Sequence, residues 1–133
     1  MRRSSVMAAA VAVALAVFPA AASSRRHRLH LPPPQLPRSL TVDEKEWAVQ
    51  PSKTIVAAGT VRFQAHNRGQ DDHNFVIIDD AGNGFASVSL MPGGSAEVVA
   101  KLHPGTYRLF CSLFAGTPES HDARGMHAFL TVR

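Results

Sequence analysis

One cysteine occurs in the chain, Cys111, in the run Tyr107-Arg-Leu-Phe-Cys111-Ser-Leu. His121 and Met126 follow it, and His73 lies well upstream. A thiolate, two imidazoles and a thioether form a graded set of donors. Structural zinc sites call for several thiolates or a pair of thiolates with a pair of imidazoles. Calcium and magnesium call for oxygen. Two imidazoles, one thiolate and a weak thioether suit a single copper ion, because sulfur favours Cu(I) while imidazole also accommodates Cu(II). Taken singly, a buried cysteine or methionine is ordinary core filling. It is the four together that carry the metal reading.

These residues can meet only if the elements bearing them end at the same place. From Leu40 the chain shows short apolar–polar alternations broken by Gly, Pro, Asn and Asp, which reads as an all-β sandwich. Val61, Phe63 and Ala65 share one face of a strand over 60–67, closed by the turn Asn67-Arg-Gly69. Phe75–Ile78 is a short apolar run. Ala96, Val98, Ala100 and Leu102 alternate inward, and Pro104-Gly105 turns the chain into a strand with Tyr107, Leu109 and Cys111 on one face. Met126, Ala128, Leu130 and Val132 alternate in the last strand. Leu40 and Val42 begin an alternation that Asp43-Glu44-Lys45-Glu46-Trp47 breaks, as a bulge or a strand changing sheets would. The same parity sorts the histidines. His66, His103 and His127 fall on polar faces, and His27 and His30 lie before the domain, which leaves His73 and His121 on either side of Cys111.

The chain opens with Arg2-Arg3, an apolar run Val6 to Phe18, and Ala20-Ala21-Ala22, the pattern of a general secretory signal over residues 1–22 cleaved before Ser23. The apolar run is short for a membrane span, which needs about 20 residues. Residues 23–38, with three consecutive prolines and four arginines, read as a basic, extended linker, and residues 39–133 as the folded domain. The expected location is therefore the periplasm or the cell exterior, with no membrane span after cleavage. A lone cysteine in such a compartment has no partner for an internal disulfide, so ligation accounts for it best. The chain as a whole carries a net charge of +4, but from Ser39 onward 8 Lys and Arg face 10 Asp and Glu. The domain is thus not a nucleic-acid binder. Nothing in the sequence signals oligomerisation, and a monomer is expected.

Several segments resemble the small cupredoxins, the plastocyanin and azurin family. Ser52-Lys-Thr-Ile-Val-Ala-Ala-Gly59-Thr-Val-Arg-Phe63, with Asn67-x-Gly69, resembles the family's N-terminal strands. Asp72-His73-Asn74-Phe75 resembles the segment of the first ligand. Pro92-Gly-Gly-Ser-Ala96 and Pro104-Gly105-Thr-Tyr107 resemble the approach to the ligand cysteine. Cys111, His121-Asp-Ala-Arg-Gly125-Met126 and Leu130-Thr-Val132 resemble the ligand loop and last strand. The resemblance implies a Greek-key β-sandwich, with one copper ion held equatorially by His73, Cys111 and His121 and axially by Met126. It also implies that Asn74 braces the cysteine-bearing segment by a hydrogen bond. One departure stands out: nine residues, Ser112 to Ser120, separate Cys111 from His121, where the family places only a few. Phe114, Gly116 and Pro118 suggest a partly ordered bulge there rather than a free loop.

The expected function is one-electron transfer between protein redox partners, cycling Cu(I) and Cu(II), with no catalytic residues and no enzyme activity. By the same analogy, electrons would pass through an apolar patch that includes Phe114 and the Met91-Pro92 turn. Two alternatives remain open in the sequence: a copper-delivery protein with an exchangeable site, and a metal-free interaction module on the same fold.

Overall fold

A computed structural model of the protein describes residues 34–133. The signal segment assigned to residues 1–22 and most of the 23–38 linker lie outside the described residues. The described chain forms nine strands and no helix: β1 (Ser39–Lys45), β2 (Ala48–Pro51), β3 (Ile55–Val56), β4 (Gly59–Asn67), β5 (His73–Asp79), β6 (Gly84–Leu90), β7 (Ser95–Leu102), β8 (Gly105–Phe110) and β9 (His127–Val132). They make a four-stranded sheet in the order β2-β1-β4-β7 and a five-stranded sheet in the order β3-β9-β8-β5-β6. The pairs β1/β4 and β3/β9 are parallel and the rest antiparallel. This is the expected all-β sandwich. Among the described residues no helix is long and apolar enough to cross a membrane.

The core forms where the alternation places it. Val61, Phe63 and Ala65 of β4 and Phe75 and Ile77 of β5 are wholly buried, and the Phe63 and Phe75 rings meet at 5.6 Å. Ala100 and Leu102 of β7, Tyr107 and Leu109 of β8, and Leu130 and Val132 of β9 complete it. Burying each large apolar side chain contributes roughly 1.5–3 kcal/mol. The Tyr107 hydroxyl donates to the carbonyl of His103 at 3.0 Å and accepts its N–H at 3.0 Å, closing the β7–β8 turn.

Three local details differ from the sequence reading. First, the break at Asp43–Trp47 is neither a bulge nor a change of sheet. β1 runs unbroken to Lys45 and turns through Glu46-Trp47 into β2. The inward position after Leu40 and Val42 is taken by Glu44, so the backbone keeps its parity while the side-chain chemistry changes. Second, the register irregularity is in β5/β6, between Ile77 and Ile78. Third, β6 and the short β2 and β3, all at sheet edges, carry no clear apolar alternation.

Candidate metal centre

His73 opens β5 and shares its inward face with Phe75 and Ile77. β8 pairs antiparallel with β5 in the register Val76↔Phe110. Continued by one residue, that register sets Cys111 across from Phe75. Continued by two, it sets Ser112 across from Asn74. The Asn74 amide nitrogen donates to Ser112 Oγ at 2.8 Å, and the Ser112 N–H donates to Asn74 Oδ1 at 2.7 Å. The Asn74 backbone N–H points at Cys111 Sγ at 3.4 Å. The side chain of Asn74 thus ties the β5 start to the segment just past Cys111. β9 lies on the other side of β8, and the Cys111 N–H donates to the Met126 carbonyl at 3.0 Å.

His121 comes from the loop between β8 and β9. Its N–H donates to the Leu113 carbonyl at 3.1 Å, and its carbonyl accepts the Met126 N–H at 3.0 Å. The long insertion is held by its own turns, with N–H bonds from Ala115 to Ser112, Thr117 to Phe114 and Ser120 to Thr117. Asp122 fastens the loop to the sheet. Its carboxylate accepts from the Arg108 guanidinium at 2.6 and 2.8 Å and lies 3.0 Å from His127 Nδ1. Gly125 has φ +117°, a conformation that favours glycine, and a Cβ there would come within 3.1 Å of the Trp47 carbonyl, a tight approach.

These elements bring three side chains together. His73 Nδ1 lies 3.2 Å from His121 Nδ1, and Cys111 Sγ lies 3.4 Å from the same nitrogen. The three donor atoms all fall within 4.8 Å of one another, and all three residues are buried. A first-row ion bonded to nitrogen at about 2.0 Å and to sulfur at about 2.3 Å leaves near-tetrahedral donors a little over 3 Å apart. The observed spacing fits such an ion. The Met126 side chain is wholly buried, and its backbone is bonded to both Cys111 and His121. His66, His103 and His127 stay out of the cluster, as parity indicated, and no other cluster of this kind occurs among the described residues.

Burial raises the pKa of the Cys111 thiol, while backbone N–H groups at the sulfur oppose the rise. Burial also lowers the pKa of His121. A metal takes the thiolate and the neutral imidazole, so its binding releases the thiol proton. The centre lies at the floor of a cleft of about 640 Å³ lined by Trp47, Met91, Phe114, Asp72 and Arg124 together with both histidines. Met91 and Phe114 are largely exposed, and the Phe114 ring stands 5.4 Å from that of His121. Trp47 meets His121 in a T-shaped contact at 4.9 Å, and the Arg124 guanidinium lies over the Trp47 ring at 4.5 Å.

Two residues at this end of the sandwich escaped the sequence reading. Trp47 is one. Glu46 is the other, with Oε1 3.2 Å from His73 Nε2. Both sit in the stretch where the β1 alternation fails, which was the available signal.

A two-sheet sandwich with a buried His-Cys-His cluster at one end defines a class, and the comparisons agree. The family model for the cupredoxin-like domain matches residues 7–121, so the chain belongs to the cupredoxin-like family. The match ends at His121 and leaves Met126 beyond it. Among solved structures, the chain is similar to dithionite-reduced auracyanin from the photosynthetic bacterium Roseiflexus castenholzii. That likeness has a TM-score of 0.59 at 24% identity and covers 74% of this chain and 98% of that one. Auracyanin A, a "blue" copper protein from the green thermophilic photosynthetic bacterium Chloroflexus aurantiacus, is similar at TM-score 0.51 and 19% identity, over 71% and 99%. A chain of the mixed disulfide between a thioredoxin-like protein and subunit II of cytochrome c oxidase is similar at TM-score 0.52 and 17% identity, over 79% and 87%. These likenesses show the fold. No curated protein sequence matches the chain.

Proposed function

We propose that the protein is a secreted one-electron carrier that holds a single copper ion through His73, Cys111 and His121, with Met126 as a weak fourth donor. The observation that carries this reading is the buried trio with donor atoms 3.2 and 3.4 Å apart at one end of a cupredoxin-like sandwich. Bound copper would supply the one-electron change between Cu(I) and Cu(II). The residues supply the rest. Hydrogen bonds from the Asn74 backbone and across Asn74–Ser112 fix the sulfur. The sheet fixes His73, the loop bonds fix His121, and burial keeps bulk water from the donors. A frame held this way does not rearrange between oxidation states, which keeps electron transfer fast. His121, under the exposed Phe114 and beside Met91, is the route to a redox partner. With Cys111 and both histidines assigned to the metal, we read the protein as a carrier without enzyme activity of its own.

Copper delivery is a second reading, favoured by the cleft that reaches both histidines. Titrating the purified protein with Cu(II) while recording the visible spectrum and the bound metal tests the first. One copper per chain is expected, with an intense thiolate-to-copper band that disappears in Cys111→Ser. A colourless protein that retains no copper would end both readings. Loss of Cu(I) to a chelator within one reduction cycle would favour delivery.

A further inference from the structure

The carboxylate of Glu46 has a fixed seat that owes nothing to a metal. Its Oε1 accepts the backbone N–H groups of Gln70 and Asp71, both at 2.8 Å. Gly69 closes the seat, since a Cβ there would overlap the carboxylate. The loop that forms the seat is itself stapled. Asn67 Nδ2 donates to the carbonyls of Asp71 at 2.8 Å and Leu90 at 2.9 Å, and the Gly69 N–H donates to Asn67 Oδ1 at 2.9 Å. The Arg68 N–H donates to the Glu44 carbonyl at 2.7 Å, joining the loop to β1. Two main-chain N–H donors on one oxygen suit a carboxylate in its anionic form.

That anion stands beside His73. Oε1 lies 3.2 Å from Nε2, a nitrogen fully buried and without an aligned hydrogen bond to any other group. The N–H direction is bent off the line to Oε1, so the contact acts through charge more than through a straight hydrogen bond. A negative charge beside one imidazole nitrogen favours the tautomer with the proton on that nitrogen, which leaves the other free to bind. For His73 the other nitrogen is Nδ1, the one that faces His121 and the cluster.

We propose that Glu46 is a positioning residue for the metal centre: seated by the Gly69–Asp71 backbone, it holds His73 with its proton on Nε2 and Nδ1 toward the metal, and its charge favours the more oxidised ion. The second half rests on the copper reading above, and the first does not. A carboxylate behind a ligand imidazole makes the imidazole a stronger donor, and losing such a partner typically costs about 10–100-fold in metal affinity. An added negative charge near the ion stabilises Cu(II) over Cu(I).

The test has a metal-free part and a copper part. Long-range proton–nitrogen NMR of the metal-free wild-type protein should show His73 protonated on Nε2. A wild-type His73 protonated on Nδ1 would overturn the proposal, and this measurement needs no variant and no copper. In Glu46→Gln the amide oxygen still accepts from Gln70 and Asp71 while the charge is gone. The folded variant should bind Cu(II) about 10–100-fold more weakly. Its Cu(I) affinity should fall less, so the reduction potential rises, and Glu46→Asp should recover part of the loss. An unchanged ratio of Cu(II) to Cu(I) affinity in folded Glu46→Gln would overturn the proposal. Failure of the wild type to bind copper would sink the proposed function and leave the tautomer result standing by itself.

Discussion

Glu44 occupies a place that the β1 alternation reserves for an apolar side chain. It is wholly buried, and neither carboxylate oxygen has a hydrogen-bond partner. Desolvation raises its pKa to about 7 from an ordinary value of 4.5. An ionised carboxylate in that position would be strongly disfavoured, so the folded protein keeps the proton where the unfolded chain has lost it. Between pH 4.5 and about 7 the native state thus binds more protons than the unfolded state, and stability falls as pH rises. The stabilising contribution is complete below pH 4.5 and gone above about 7, a change of about 3 kcal/mol at 1.36 kcal/mol per pKa unit. Glu44→Gln carries no charge at any pH and should remove that slope. Urea unfolding of the metal-free protein at steps from pH 4.5 to 8 checks it. The stability of the variant relative to wild type should climb through the window, and two parallel curves would rule out the buried charge as the cause.

At the scale of elements, the β8–β9 loop has to deliver His121 to within 3.4 Å of Cys111 although nine residues are inserted between them. Asp122 anchors it to the sheet through Arg108 and His127, two residues on adjacent strands. Hydrogen bonds to charged groups contribute about 1.5–3 kcal/mol when sheltered and less with exposure, so Asp122→Ala should cost about 1–2 kcal/mol. The exposed pair Arg62–Glu97 serves as the contrast, and Glu97→Ala should cost less than about 0.5 kcal/mol. Denaturant unfolding measures both, and copper affinity should fall in the first variant alone. Much of this arrangement was legible from residues. Val61, Phe63, Ala65, Leu109 and Leu130 alternate on faces buried against one another, and the same parity led to His73, Cys111 and Met126. It also separated the three outward histidines from the cluster. The seat of Glu46 was not legible. It depends on backbone N–H groups and on the room at Gly69, and neither leaves a pattern in side-chain chemistry. The edge strand β6 was missed for a related reason. Its burial is half-hearted along its length, so no period-2 signal rises above the Ser and Gly around it.

The whole molecule joins segments that an unfolded chain would leave apart. His73 lies at the head of β5, Cys111 past the end of β8, and His121 and Met126 in the approach to β9. Neighbouring strands β5, β8 and β9 are the same ones that carry the inner face of the five-stranded sheet. A metal bound by these donors therefore requires the native pairing of all three strands, and the unfolded chain offers it only a single thiol and scattered imidazoles. Binding to the native state alone adds stability as RT ln(1 + [L]/Kd), about 4 kcal/mol when free metal exceeds Kd a thousandfold. For a domain near 100 residues each kcal/mol moves Tm by roughly 4–8 °C, so copper loading should raise Tm by about 15 °C or more. Calorimetry of metal-free and loaded protein reads this directly. Cys111→Ser should lose most of the increment while keeping a cooperative transition, because the serine fills nearly the same space in a core that the other strand residues already close. A loaded wild type that melts where the metal-free protein does would place the copper outside the native cluster, whatever its stoichiometry.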